Sequence, residues 1–242
     1  SYPVLPLSLR RFHFMQLRDY QEKGVTQVAG KLAKCRRVVF CLATGGGKTI
    51  TFSAITKRYI EKSGKAVLIL VHRKELMTQT IRTLYNAYGI SGQMIKAGMK
   101  TVPASAVYVG MVESVNRRID RLINVGLVII DEAHNLSFAK MFEHFPELLM
   151  IGFTATPLTS SKLKPLKLFY EDIVCGIDIP DLISQGSLCQ NITYAPKDTV
   201  DAGKLKVKAG EYNEGLMAME FSKSKHIQNT VDAYLKYTPN TK

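Results

Sequence analysis

Two short stretches carry residue types able to handle a phosphate chain. The first is Gly45-Gly46-Gly47-Lys48-Thr49. Glycines let backbone N–H groups converge on a phosphate, the Lys48 ammonium reaches the β and γ oxygens, and the Thr49 hydroxyl is suited to ligate Mg²⁺. The second is Asp131-Glu132-Ala133-His134. Asp131 is a candidate Mg²⁺ ligand, directly or through water, and Glu132 a candidate base that orients and deprotonates an attacking water. Taken alone, the first stretch also reads as an ordinary glycine-rich turn, and the second as a strand end capped by turn acids. The strict phosphate-loop pattern asks for glycine at position 42, where this chain has Leu42, while the GxGK[ST] core is intact.

The elements around these stretches must place them together. Residues 38–42 (Val-Val-Phe-Cys-Leu) form a brief apolar run, the glycines follow, and residues 48–62 have helical periodicity. That order is strand, loop, helix. Upstream, residues 17–34 predict a helix with one buried face. Downstream, residues 66–71 predict a strand and 74–88 a helix, 106–110 a strand and 112–122 a helix. Residues 125–130 are apolar enough for a strand buried on both faces, and they run directly into Asp131-Glu132. A short helix over 138–145 and a strand over 149–153 follow. Five strands separated mostly by helices imply an α/β sheet covered on both faces. Such sheets gather their chemistry at the carboxyl edge. A phosphate cradle and a metal acid on neighbouring strand ends are two halves of one nucleoside-triphosphate site, so the pair indicates an ATPase or GTPase. After Pro157 the texture becomes polar and basic; residues 179–185 predict a short helix, 188–194 a further strand, 197–211 a solvent-facing extended segment or loop, and 224–237 a closing helix.

Composition narrows the partner and the compartment. The 242 residues are 46% hydrophobic, enough for a substantial core. Lys and Arg outnumber Asp and Glu by 33 to 20, a net charge of +13, which favours a polyanionic partner such as nucleic acid. Cys35, Cys41, Cys175 and Cys189 form no CxxC pair, arguing against a zinc ribbon or a disulfide framework. No run approaches the ~18 apolar residues of a membrane span, and the start lacks the apolar core of a secretory signal. A reducing, cytoplasmic setting is the expectation. His13, His72, His144 and His226 sit in no metal-binding pattern.

Taken in order, Thr44-Gly45-Gly46-Gly47-Lys48-Thr49, Asp131-Glu132-Ala133-His134 and Thr154-Ala155-Thr156-Pro157 resemble motifs I, II and III of superfamily 2 helicases and translocases. The resemblance covers nearly all of the chain. It implies the first RecA-like P-loop NTPase domain of such an enzyme, over residues 1–237, with 158–237 as its C-terminal portion and 238–242 opening an interdomain linker. Leu17-Arg18-Asp19-Tyr20-Gln21 resembles the adenine-recognition element of the family, which implies that Gln21 bonds the adenine edge, that Arg18 packs on its face, and that ATP is the nucleotide. Val71-His72-Arg73-Lys74-Glu75-Leu76 resembles motif Ia, and Gly110-Met111 with Ser114 and Arg117 occupies the place of the next nucleic-acid-contacting motif. Arg73 and Arg117 are therefore the implied contacts to a sugar-phosphate backbone. The resemblance assigns His134, Thr154 and Thr156 to coupling between the ATP site and the nucleic-acid side.

The stretch from Phe169-Tyr170 through Ile179-Pro180-Asp181-Leu182-Ile183 to Gly186-Ser187-Leu188 looks like the end of that domain in helicases of the restriction-enzyme and DNA-repair type, which favours DNA over RNA. The family's second RecA-like domain, carrying motifs IV to VI, has no counterpart after Thr238 and is the implied partner. Its arginines are worth about 10³ to 10⁵ in rate, so this chain alone is expected to hydrolyse ATP poorly. Two other readings stay open at this level: a P-loop ATPase that does not translocate, and a nucleic-acid-binding module with a weak or inactive ATP site.

Overall fold

The computed structural model describes residues 15–135, 138–158, 165–191, 207–208, 211–212 and 214–237. The chain divides into two compact units, residues 1–189 and 190–242. In the first unit the order is α1 (Asp19–Leu32), β1 (Arg37–Cys41), α2 (Lys48–Ser63), β2 (Ala66–Val71), α3 (Lys74–Tyr88), β3 (Gln93–Ile95), β4 (Val107–Met111), α4 (Val112–Asn116), β5 (Val125–Asp131), α5 (Ala139–His144), β6 (Leu149–Thr154), β7 (Asp172–Cys175) and α6 (Ile179–Ser184). Every pairing among the seven strands is parallel, in the order β3-β4-β2-β5-β6-β1-β7. The α/β fold with helices on both faces is the one expected of a RecA-like P-loop domain.

Alternation along each strand builds two apolar layers. Val38, Phe40, Ile69, Ile129, Ile151 and Phe153 pack with Val25 and Val28 of α1, Phe52 of α2 and Leu84 of α3. Their neighbours Val39, Leu68, Leu70, Val128, Ile130 and Met150 pack on the opposite face with Val115, Met141 and Phe142. All six residues of β2 are buried, because a parallel strand covered on both faces has no solvent side. Phe52 meets Phe153 edge-on with ring centroids 5.6 Å apart, and Phe153 meets Phe40 at 5.3 Å. This aromatic group fixes the first turns of α2 on β6 and β1, directly beneath the glycine loop.

The helix α1 comes unusually close to the sheet at Gly24, where an added Cβ would lie 2.2 Å from Phe40 Cζ. Gly24→Ala is therefore expected to destabilise by about 1–3 kcal/mol through overpacking. Gly30, on the same helix, has no atom within 4 Å of an added Cβ. Gly30→Ala is expected to stabilise by about 0.5–1 kcal/mol through helix propensity. Urea unfolding of the two variants reads the opposite signs directly, and equal midpoints would refute the close-approach argument.

Several elements differ from the sequence reading. β3 and β7 are strands of three and four residues at the sheet edges, too short to show a period. The helix expected over 112–122 is broken: α4 ends at Asn116 and a single 3₁₀ turn spans Ile119–Arg121. Residues 188–191 carry no strand, and the rest of the strand expected over 188–194 lies outside the described residues. Most of the segment 197–211 and the expected linker at 238–242 also lie outside them. The second unit contains the two-residue strands β8 (Val207–Lys208) and β9 (Glu211–Tyr212), paired antiparallel, then α7 (Glu214–Phe221) and α8 (Ser224–Tyr237). α8 has the bounds that periodicity predicted, and α7 was not anticipated.

Candidate nucleotide site

Parallel strands all deliver their carboxyl ends to one edge, and the chemical residues collect there. The glycine loop leaves β1, Asp131 ends β5, and Thr154 ends β6. The two motif-bearing strands are not neighbours as expected: β6 lies between β5 and β1. The insertion has a physical consequence, because it places the Thr154-Ala155-Thr156 turn between the phosphate loop and the acidic pair.

Gly45 and Gly47 take φ of 83° and 81°, a left-handed region that side chains rarely adopt. Gly47 caps the 16-residue helix α2, so Lys48 and Thr49 occupy its first two positions, where free backbone N–H groups and the helix dipole favour an anion. A Cβ on Gly47 would sit 2.5 Å from Gln21 Nε2, and one on Gly46 would press on the Ala43 carbonyl at 3.0 Å. The loop is braced from α1. Gln21 is buried and donates from Nε2 to Gly46 O at 3.0 Å, while its Oε1 accepts from the Arg18 N–H at 3.0 Å. Tyr20 adds a hydroxyl donated to the same Gly46 carbonyl at 3.2 Å. Tyr20 carries no role in the sequence reading; its place one residue before Gln21 is the signal that could have found it. Arg18 is exposed at the start of α1, and Thr44 is exposed at the mouth of the loop.

The acidic end is folded sharply. Glu132 adopts φ 54°, which is strained for a residue with a side chain. The turn lets Ala133 N–H bond Phe153 O at 2.8 Å and aims the Glu132 carboxylate at the loop, with Oε1 3.7 Å from Lys48 Nζ. From Glu132 a polar chain runs on through β6. His134 Nδ1 lies 3.4 Å from Glu132 Oε2 and 3.0 Å from Thr154 Oγ1. The Thr154 hydroxyl donates to Thr156 O at 2.9 Å and accepts from Thr156 N–H at 3.1 Å. Its one proton being used, Nδ1 of His134 carries the hydrogen in that contact, an assignment made from the network. The residues expected to couple two sites thus form a continuous path from Lys48 to Thr156.

Asp131 is buried beside Glu132, accepting the Glu132 N–H at 3.1 Å. Burial pushes its carboxyl above the ordinary range, and the neighbouring Glu132 charge adds to the rise; Lys48 and the backbone N–H oppose it. A buried carboxylate short of cations is costly in the fold and is relieved by a divalent ion. Asp131→Asn, which keeps the accepting oxygen, is expected to raise the thermal midpoint of the chain while removing any stabilisation by Mg²⁺ with nucleotide. Calorimetric scans with and without Mg·ATP test this; a lower midpoint for the variant alone would contradict it.

The two arginines implied to touch a nucleic-acid backbone sit elsewhere on the same edge. Arg73 precedes α3 after β2, and Arg117 ends α4 after β4; both are exposed. Neither is brought to the Lys48–Glu132 group, as two separate ligands would require. The adjacent Arg118, which sequence reasoning passed over, is the buried one.

The family described as "Type III restriction enzyme, res subunit" matches residues 14–159. Among curated proteins, a Saccharomyces cerevisiae protein named "Putative ATP-dependent helicase IRC3" is 30% identical over 216 residues, covering 81% of this chain and 31% of that one. A type I restriction enzyme EcoAI endonuclease subunit from Escherichia coli is 26% identical over 173 residues, covering 64% and 21%. The chain therefore spans about a third or less of these relatives' length. Among solved structures, a nuclease-deletion mutant of the type ISP restriction-modification enzyme LlaGI superposes with a TM-score of 0.58 at 19% identity, covering 72% of this chain and 21% of that one. The UvsW helicase of bacteriophage T4 superposes with 0.55 at 17%, covering 66% and 60%. These structural likenesses are of fold.

Proposed function

The chain belongs to the family described as the type III restriction enzyme res subunit, and we propose on that basis that it is the ATP-binding half of a nucleic-acid helicase or translocase. The observation that carries the proposal is the path Lys48–Glu132–His134–Thr154–Thr156, which ties a phosphate-binding helix start to a strand-end turn facing the rest of the carboxyl edge. A site for hydrolysis alone needs Lys48 and Glu132; the extension through Thr154 supplies a route by which a change at the γ-phosphate moves a neighbouring loop.

The residues present fit Mg·ATP. A Cβ at Gly46 or Gly47 would collide with Ala43, Leu42 or Gln21, so only glycine lets the loop sit this close to α1 and the end of β1, and Lys48 and Thr49 open a long helix. Mg²⁺ takes few protein ligands beside phosphate oxygens and water, which suits one hydroxyl and one carboxylate, those of Thr49 and Asp131. When bound, the ion neutralises phosphate charge and polarises the γ-phosphoryl group. Lys48 binds the β and γ oxygens, its ammonium shared until then with Glu132. Glu132 accepts a proton from the attacking water, and His134, bonded through Nδ1 to Thr154, lies 3.4 Å from the other Glu132 oxygen. Arg18, exposed at the start of α1, meets the adenine face, and the buried Gln21 offers the base edge only the N–H and lone pair left over from its bonds to Gly46 O and the Arg18 N–H.

The relatives' names support the nucleic-acid half of the reading, with DNA favoured by the restriction-enzyme members. Arg73 and Arg117 contact the strand backbone, and a second RecA-like domain completes the cleft and supplies the charge that accelerates hydrolysis. Titration calorimetry of the chain with ATP, with and without Mg²⁺, tests the core of the proposal. Mg²⁺-dependent binding is expected, and GTP is expected to bind more weakly. Absence of binding to folded protein would overturn the ATP assignment.

A further inference from the structure

The strand order sorts the carboxyl edge by charge. β5, β6 and β1 carry the nucleotide residues, while β2, β4 and β3 lie together on the other flank. Register brings those three ends level: Val71 is opposite Met111, and Ile95 is opposite Gly110. Residue 96 therefore leaves the sheet beside the turn into α4. Exposed cations on these ends are Arg73 and Lys74 after β2, Arg117 after β4, and Lys96 and Lys100 after β3. The carboxylates on the same segments, Glu75, Glu113 and Asp120, are exposed and fewer.

Segment 96–100 is held in place rather than looped into solvent. Lys96 N–H meets Met99 Sδ at 3.2 Å, and Gly98 turns the chain with φ 82°. Arg118, 8% exposed, donates from Nε to Met99 O and from Nη1 to Ser114 O, each at 2.9 Å. Arg121 bonds the Lys100 carbonyl in the same way. Among the described residues no carboxylate pairs with Arg118; its hydrogen-bond partners are the Met99 carbonyl in the segment after β3 and the Ser114 carbonyl in α4. A buried guanidinium without a counter-charge is costly, and an anion laid over the rim above it lowers that cost. Adjacent strands are about 4.8 Å apart, so three strand ends span about 10 Å, a length over which a nucleic-acid strand presents about three phosphates.

We propose that Lys96 and Lys100 form a third backbone-contact segment beside Arg73 and Arg117, and that Arg118 is the residue that positions it. The inference rests on the nucleic-acid reading above and extends it to a strand the motifs do not reach.

The test is fluorescence anisotropy of a labelled oligothymidylate of about 20 nucleotides, titrated with the whole chain over a range of KCl concentrations. The double variant Lys96→Ala, Lys100→Ala is expected to bind about tenfold more weakly near 0.1 M salt, with the salt slope reduced by about 1.4, the loss of two phosphate contacts on a single strand. Arg118→Gln is expected to lower the slope with both lysines still present, and Arg118→Lys to recover part of it. A positioning role keeps Mg·ATP affinity while the slope falls; loss of both together in Arg118→Gln marks misfolding, and the surface lysine pair then decides. An unaltered slope in the lysine variant, with Arg73→Ala lowering it, overturns this inference and leaves the nucleic-acid reading standing. No salt-dependent binding by the unsubstituted chain overturns both.

Discussion

Lys48→Ala is expected to weaken Mg·ATP binding by about 10- to 100-fold, the loss of a charge-assisted hydrogen bond to phosphate. The effect falls toward the upper end for a reason specific to this site. Lys48 Nζ lies 3.7 Å from Glu132 Oε1 and also lowers the cost of the Asp131 charge. Its removal leaves two adjacent carboxylates facing a polyphosphate with one fewer cation between them. Lys48→Arg keeps the charge and is expected to lose less. Titration calorimetry at fixed Mg²⁺ reads both variants, and an unchanged affinity for Lys48→Ala would mean that the phosphates do not lie at this loop.

Glu132→Gln separates binding from chemistry. The amide keeps the shape of the side chain but cannot take a proton from water, so hydrolysis is expected to fall by about 10²- to 10⁴-fold. Binding moves in the opposite direction: Lys48 loses a carboxylate that competes with phosphate for its ammonium, so Mg·ATP affinity is expected to hold or rise. Single-turnover hydrolysis with the chain in excess, read beside calorimetry, distinguishes the two. Equal turnover in the variant would remove Glu132 from the role of base. Equal loss of binding and turnover would instead make it a structural partner of Lys48.

The order of strand, glycine loop and helix was legible because each part has a local cause. Apolar β-branched residues favour a strand, a glycine-only backbone conformation marks the loop, and periodic burial marks the helix. The long runs at β2 and β5 were equally plain, since strands covered on both faces are apolar throughout. β3 and β7 were not, because three or four residues carry no measurable period and are strands only through the neighbours they pair with. At the break after Asn116, Arg118 turns inward and donates to the Ser114 carbonyl and to that of Met99, a partner 19 residues away that local periodicity cannot show.

The candidate site divides in the same manner. The residue types of Lys48, Thr49, Asp131 and Glu132 after strands read as phosphate and metal chemistry, so the class of chemistry proposed for this edge was legible from the sequence alone. Only the tertiary structure decided who touches whom. It put β6 between the two motif strands, so that Thr154 receives His134. It turned Gln21 and Tyr20 onto the glycine loop from a helix about 25 residues earlier in the chain. It also buried Arg118 and left Arg117 exposed, a distinction two adjacent arginines cannot express in sequence. The physical reason is one of range: backbone preference and hydrophobic period act over a few residues, whereas strand order and side-chain partners are set by packing among segments distant in the chain.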